Sequence, residues 1–189
     1  INGNYVGTAS RSFTANVPSH VFPTAGTFSV AEGNAAVLAA FGTATNTFIQ
    51  NKSQIKGTAG TGGAGIYGST ITKTELLING SVVATFSGNG AGATATTPVI
   101  TNGWNVSITK RVTDSRGRTA STSAITGTIR PYSAPSITSL EAFRSTSGGD
   151  PSGSSTQVTV QLGASVSSLL NGATEKNTLK YVVKYKPST

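Results

Sequence analysis

Side chains able to move a proton, attack a substrate or hold a metal are sparse in this sequence. Its 189 residues include one histidine, six carboxylates and no cysteine. His20 lies between Pro18 and Pro23 with no second potential ligand near it, and reads as a surface residue. Glu32, Glu75, Asp114, Glu141, Asp150 and Glu175 stand far apart, and no pair has the Asp-x-Asp spacing of a calcium loop. The glycine-rich stretches lack the Lys-Ser/Thr and following helix of a phosphate-binding loop. The expectation is a protein with no catalytic residues, no cofactor and no metal, and therefore not an enzyme. Without cysteine, disulfides and thiolate chemistry are closed to it as well.

What remains is contact chemistry. Ile66 and Tyr67 sit at the tip of a glycine-rich loop, Lys56 to Thr70, where glycines could hold them up as a binding finger. A loop that folds down and buries both is an equal alternative. Lys180, Lys184 and Lys186 fall on the face opposite Leu179, Tyr181, Val183 and Tyr185, giving an expected third strand a basic outward stripe. Such lysines also protect a sheet edge from unwanted pairing. Trp104 opens a strand and reads as core. Asp114 has the sharpest local role. It is expected to cap a turn through Arg116, Gly117 and Arg118, because an aspartate bonds its own backbone two residues on and glycine tolerates positive φ.

That turn belongs to the best-defined element, the hairpin Asn105 to Tyr132. Val106, Ile108 and Val112 alternate with Ser107, Thr109, Arg111 and Thr113, the period of a strand with one buried face. Lys110 is the misfit, a cation on the apolar phase. The returning strand, Thr119 to Ile129, changes phase between Ala124 and Ile125, which predicts a bulge or kink there. Pro131 ends it.

Composition sets the frame for these elements. Apolar residues make up 36% and charged residues 11%, while glycine alone numbers 23, which favours turn-rich β-structure over a helical bundle or a disordered polyelectrolyte. A net charge of +8 comes from fourteen basic residues spread along the chain rather than clustered among aromatics, so nucleic acid is not the expected partner. No apolar run approaches the roughly 20 residues of a membrane span, and no membrane insertion is expected. Methionine is absent even at position 1, which points to a processed or excised piece of a longer polypeptide.

In order, residues 1–22 carry one expected strand, Tyr5 to Thr14, read as a linker or the end of a preceding module. Thr27 to Phe41 is expected to give two strands about a Gly33-Asn34 turn, the second over Ala35 to Ala40. Phe48 to Gln50 is extended, 56–70 is a long mobile loop, and Asn79-Gly80 is a strong hairpin signal after the strand Ile71 to Ile78. Seven or so short strands with regular turn signals make 23–131 an immunoglobulin-like β-sandwich. After a linker at 132–135, strands at Ile137 to Arg144, Gln157 to Ser165 and Leu179 to Tyr185 make 136–189 a partial immunoglobulin- or fibronectin III-like module. The fold class is all-β, in tandem β-sandwiches, the second incomplete, with the parent chain expected to continue beyond Thr189.

The string VTDSRGRTAS at 112–121, followed by IRPYSAPSITSLEAFRS at 129–145, resembles a family of tail proteins from siphophages of Gram-positive hosts. In that family a Thr-Asp-Ser-Arg-Gly-Arg hairpin closes an immunoglobulin-like module, and a Tyr-x-x-Pro linker leads to the next. Phe48 to Ser53 and the Ile78-Asn79-Gly80 turn fit the same pattern, so the resemblance covers about 22–189. It implies a non-enzymatic structural or host-adhesion module of a tail fibre or tail tip, located in the virion outside the host cell. The implied partners are other phage tail proteins and host cell-wall polysaccharide or teichoic acid. A homotrimeric fibre and a monomeric decoration both stay open. The alternatives are a bacterial surface adhesin module and a carbohydrate-binding module for anionic wall polymers.

Overall fold

In the strand β7 (Val106–Asp114) every second residue is buried, from Val106 through Ile108, Lys110 and Val112 to Asp114. A computed structural model describes residues 7–184 and places this strand at the centre of a twisted sheet. The elements before it are β1 (Phe28–Glu32), helix α1 (Ala35–Phe41), β2 (Thr47–Ile49), β3 (Gln54–Ala59), β4 (Ile71–Ile78), β5 (Ser81–Thr85) and β6 (Thr94–Val99). After it come β8 (Thr119–Ser121), β9 (Ile125–Arg130), β10 (Ser136–Ser145), β11 (Gln157–Ser165), β12 (Leu170–Asn171) and β13 (Thr174–Glu175). The larger sheet runs β2-β9-β7-β4-β5, with β8 also on β7, and the smaller runs β1-β3-β6. Pairing within both is antiparallel except for β2, which lies parallel to β9. Phe48, Leu76, Val106, Ile108 and Ile129 of the larger sheet meet Ile55, Ala59 and Ala95 of the smaller in one apolar core. The described residues are thus all-β apart from α1 and a 3-10 turn at Ser19–Val21.

The two turns read from sequence form as their chemistry requires. Asn79 and Gly80 take φ of 49° and 81° between β4 and β5, the left-handed pair of a two-residue hairpin. The return strand is interrupted over 122–124, dividing β8 from β9 at the expected change of phase. Lys110 obeys the period rather than breaking it. Its stem is fully buried, and its ammonium donates to the carbonyls of Thr27 at 2.9 Å and Thr61 at 3.2 Å.

Several expectations are corrected. Ala35–Phe41 is a helix, not a strand: the Asn34 side chain accepts from the Ala36 amide at 3.0 Å, and helix-favouring alanines and leucine follow. Residues 7–14 form no strand, and 1–6 lie outside the described residues. The stretch 56–70 is not one mobile loop. Its start belongs to β3, and the remainder packs so tightly that a Cβ at Gly65 would lie 1.9 Å from the Ser69 carbonyl oxygen. Glycine there serves close approach rather than freedom. Trp104 is 68% exposed and not core.

Beyond Pro131 the character changes. β10 and β11 form a two-stranded ribbon in which Ile137, Leu140 and Val158 are more than half exposed. Leu179 to Lys184 adds no strand, and Tyr185 with Lys186 lies outside the described residues. The small hairpin β12–β13 turns back toward α1. There Leu169 buries against Phe41 and Ile49, and the Asn171 amide donates to the Phe41 carbonyl at 2.9 Å.

Candidate contact surface

The sequence offered Asp114 as a turn cap and Ile66-Tyr67 as a loop tip, two separate features. The fold makes them one. β7 delivers Asp114 to the end of the sheet with its carboxylate buried, and the chain reverses around it. Asp114 Oδ1 accepts from the amides of Arg116 at 3.0 Å and Arg118 at 2.9 Å, while Oδ2 accepts from the Arg118 guanidinium at 3.0 and 2.6 Å. Burial alone would raise this carboxyl, but the hydrogen bonds from Arg118, from the Arg116 amide and from Ser69 outweigh it and hold Asp114 well below the usual carboxylate range. Gly117, at φ 77°, closes the turn.

The turn then grips the loop. Arg116 donates to the carbonyls of Ile66 at 3.2 Å and Tyr67 at 2.5 Å, and Arg118 reaches the Ser69 hydroxyl at 3.3 Å. Ser69 in turn accepts from the Ile66 amide at 3.0 Å, and the Ser115 amide donates to the Thr70 carbonyl at 2.7 Å. Tyr67 is held at φ 53°, a left-handed conformation that costs a non-glycine residue roughly 1–2 kcal/mol. The two hydrogen bonds from the Arg116 guanidinium to the Ile66 and Tyr67 carbonyls favour that conformation, though solvent screening keeps each of them weak. Ile66 is half-buried while the Tyr67 ring stays 67% exposed, so each of the two sequence readings holds for one residue. His20, which sequence reasoning set aside as a surface residue, stands edge-on to Tyr67 with ring centroids 6.3 Å apart.

The surface therefore presents one open aromatic ring, one imidazole edge and the exposed Arg116, on backbone fixed from below. Such a set can stack on the C–H face of a sugar ring and offer donors to hydroxyl, carboxylate or phosphate oxygens. It sits at the Asp114 end of β7, whereas β9 carries the chain out past Val106 at the other end, about 27 Å away along the strand at 3.4 Å per residue.

Other predicted residues stay apart from this tip. Lys180 and Lys184 are exposed on irregular chain rather than along a strand. Two of the remaining carboxylates, Glu75 and Glu32, have local duties. Glu75 is buried between Arg111, which donates to Oε2 at 3.0 and 2.8 Å, and Lys73, and is lowered first by the Lys73 contact. Glu32 accepts from the amides of Asn34 and Gln54 at 2.7 and 3.1 Å. Among the described residues no group of three histidine, cysteine or acidic side chains is placed to hold a metal ion, and no helix is long and apolar enough to cross a membrane.

A family model described as a siphovirus protein of unknown function (DUF859) matches residues 1–188. No curated protein and no solved structure matches the chain.

Proposed function

From the premise that the chain belongs to the DUF859 family of siphovirus proteins, we propose that it is a non-enzymatic module of the phage tail fibre or tail tip that displays a host-contact surface on an immunoglobulin-like sandwich. The observation that carries this reading is the Tyr67 tip, an exposed ring held in a left-handed conformation by the Arg116 fork. Strain of this kind persists where surrounding structure over-determines it, and it fixes a side chain for a partner before the partner arrives. The partner class is host cell-wall polysaccharide or teichoic acid, matched by an aromatic ring beside cationic donors. Other tail proteins hold the module in the virion, as a trimeric fibre or a single decoration. Membership of a siphovirus family favours the phage over a bacterial adhesin. A non-catalytic role is supported by Glu32, Glu75, Asp114 and Glu175, which are all engaged by neighbouring groups of the chain itself.

Antibody against this chain, imaged on negatively stained virions, is expected to label the tail; labelling confined to the capsid overturns the proposal. Binding of the purified chain to host cell walls tests the tip. Tyr67→Asn keeps a residue tolerant of positive φ, so it should leave the melting temperature nearly unchanged and weaken wall binding several-fold.

A further inference from the structure

A second surface lies where the two-sheet body meets the chain beyond Pro131. α1, the end of β2, Tyr132 and the segment after β13 enclose an open cleft of about 290 Å³, near the lower end of the roughly 300–1,000 Å³ of ligand pockets. Its floor is apolar, formed by Val37, Phe41, Ile49 and Leu169. Its rim is polar and cationic. Lys52 comes from the body, and its ammonium lies 5.3 Å from the Tyr132 ring centroid, which keeps it at the cleft. Lys176 comes from the segment after β13. Among the described residues neither lysine has a salt-bridge partner, and no carboxylate lines the cleft. Glu175, next in sequence to Lys176, is occupied within its own hairpin by the Ser168 hydroxyl at 2.6 Å and the Leu169 and Asn177 amides at 2.8 and 2.9 Å. Both walls are thus built before a ligand arrives, and their charge is unbalanced in one direction.

We propose that this cleft binds an acidic sugar residue, its apolar ring face on Val37, Ile49 and Leu169 and its carboxylate or phosphate held by Lys52 and Lys176. An apolar floor calls for a C–H face, a polar rim calls for hydroxyl or amide edges, and two ammonium groups without a salt-bridge partner call for a negative charge. A monosaccharide acid combines all three in a body small enough for the space. Since Lys52 precedes β3 and Lys176 follows β13, the ligand also joins two parts of the chain far apart in sequence.

The test is a methyl NMR titration of the full chain with N-acetylmuramic acid, N-acetylglucosamine 1-phosphate, neutral N-acetylglucosamine, inorganic phosphate and a short Leu-Glu peptide. The two acidic sugars should shift the Val37, Ile49 and Leu169 methyls saturably, with the neutral sugar at least about tenfold weaker. Lys52→Ala combined with Lys176→Ala should remove that difference. Ala40→Trp, at an exposed position on the cleft wall, should block binding while the melting temperature holds. Equal binding of the neutral sugar, equal shifts from inorganic phosphate, tighter binding of the peptide, or no saturable shift by either acid would overturn the proposal. The cleft shares no residue with the Tyr67 tip. Tyr67→Asn should leave this titration unchanged, so the two surfaces fail or hold separately.

Discussion

β7 and β10 are strands of nearly equal length with different fates. Along β7 every second side chain is buried, while along β10 only Ser145 is. Both sequences carry apolar residues, and both strands pair in antiparallel register with a neighbour. The difference lies in what surrounds them. β7 has β4 on one side, β8 and β9 on the other, and the smaller sheet across the core. β10 has β11 alone. A strand's apolar positions state what it could bury, and a second layer decides whether it does.

The largest test of that contrast is Ile108→Ala, which empties a fully buried site and should cost roughly 2–5 kcal/mol in denaturant unfolding. Asp114→Ala should come next. It strips the turn of the acceptor for two amides and a guanidinium, so melting temperature should fall and amide exchange over 66–70 should quicken. The acid behaviour follows from the lowered carboxyl. Its contribution is complete above the ordinary value of 3.8 and fades as pH drops toward the folded-state value. The stability gap between the native chain and Asp114→Asn should therefore narrow below about pH 4.

Lys110→Met is a subtler probe of the buried face. It keeps the stem and removes two hydrogen bonds along with a desolvated charge, opposing effects that should leave a net change within about 1–2 kcal/mol. Burial lowers the Lys110 ammonium below its ordinary 10.5. The folded chain thus resists protonation at this site, and the penalty shrinks as pH rises toward 10.5, where the unfolded lysine also sheds its proton. The native chain should gain stability relative to Lys110→Met along that rise, measured by urea unfolding at each pH. The smallest effect belongs to the ribbon. Leu140→Ala, at a site 64% exposed, should change stability by no more than about 0.5 kcal/mol. A cost approaching that of Ile108→Ala would show the ribbon face covered in solution and would erase the contrast.

The legible parts of the chain were those whose information is local. Asn79-Gly80 and Asp114 to Arg118 name their turns through side chains that act within four residues, and the period of β7 fixes its inward face whatever lies opposite. Ala35–Phe41 was misread because seven residues are too few for helical and strand periods to separate, while the deciding contact, the Asn34 cap, falls just outside the run. Trp104 was misread because size alone does not bury a ring, and Leu179 to Lys184 because alternation does not supply a partner strand. At the tip, Tyr67 and Arg116 were each visible, but not their contact, which spans 49 residues of sequence.

Sequence by itself determined the strand-rich class, the turns at Asn79-Gly80 and at Asp114 to Arg118, and the phase of β7, because these depend on backbone preferences and on neighbours a few residues away. Tertiary structure alone decided that Lys110 would find two carbonyls, that Arg116 would hold the Tyr67 backbone, and that Lys52 and Lys176 would face one cleft. Each of these joins groups far apart along the chain, and only the packing of one layer on another sets the distance between them.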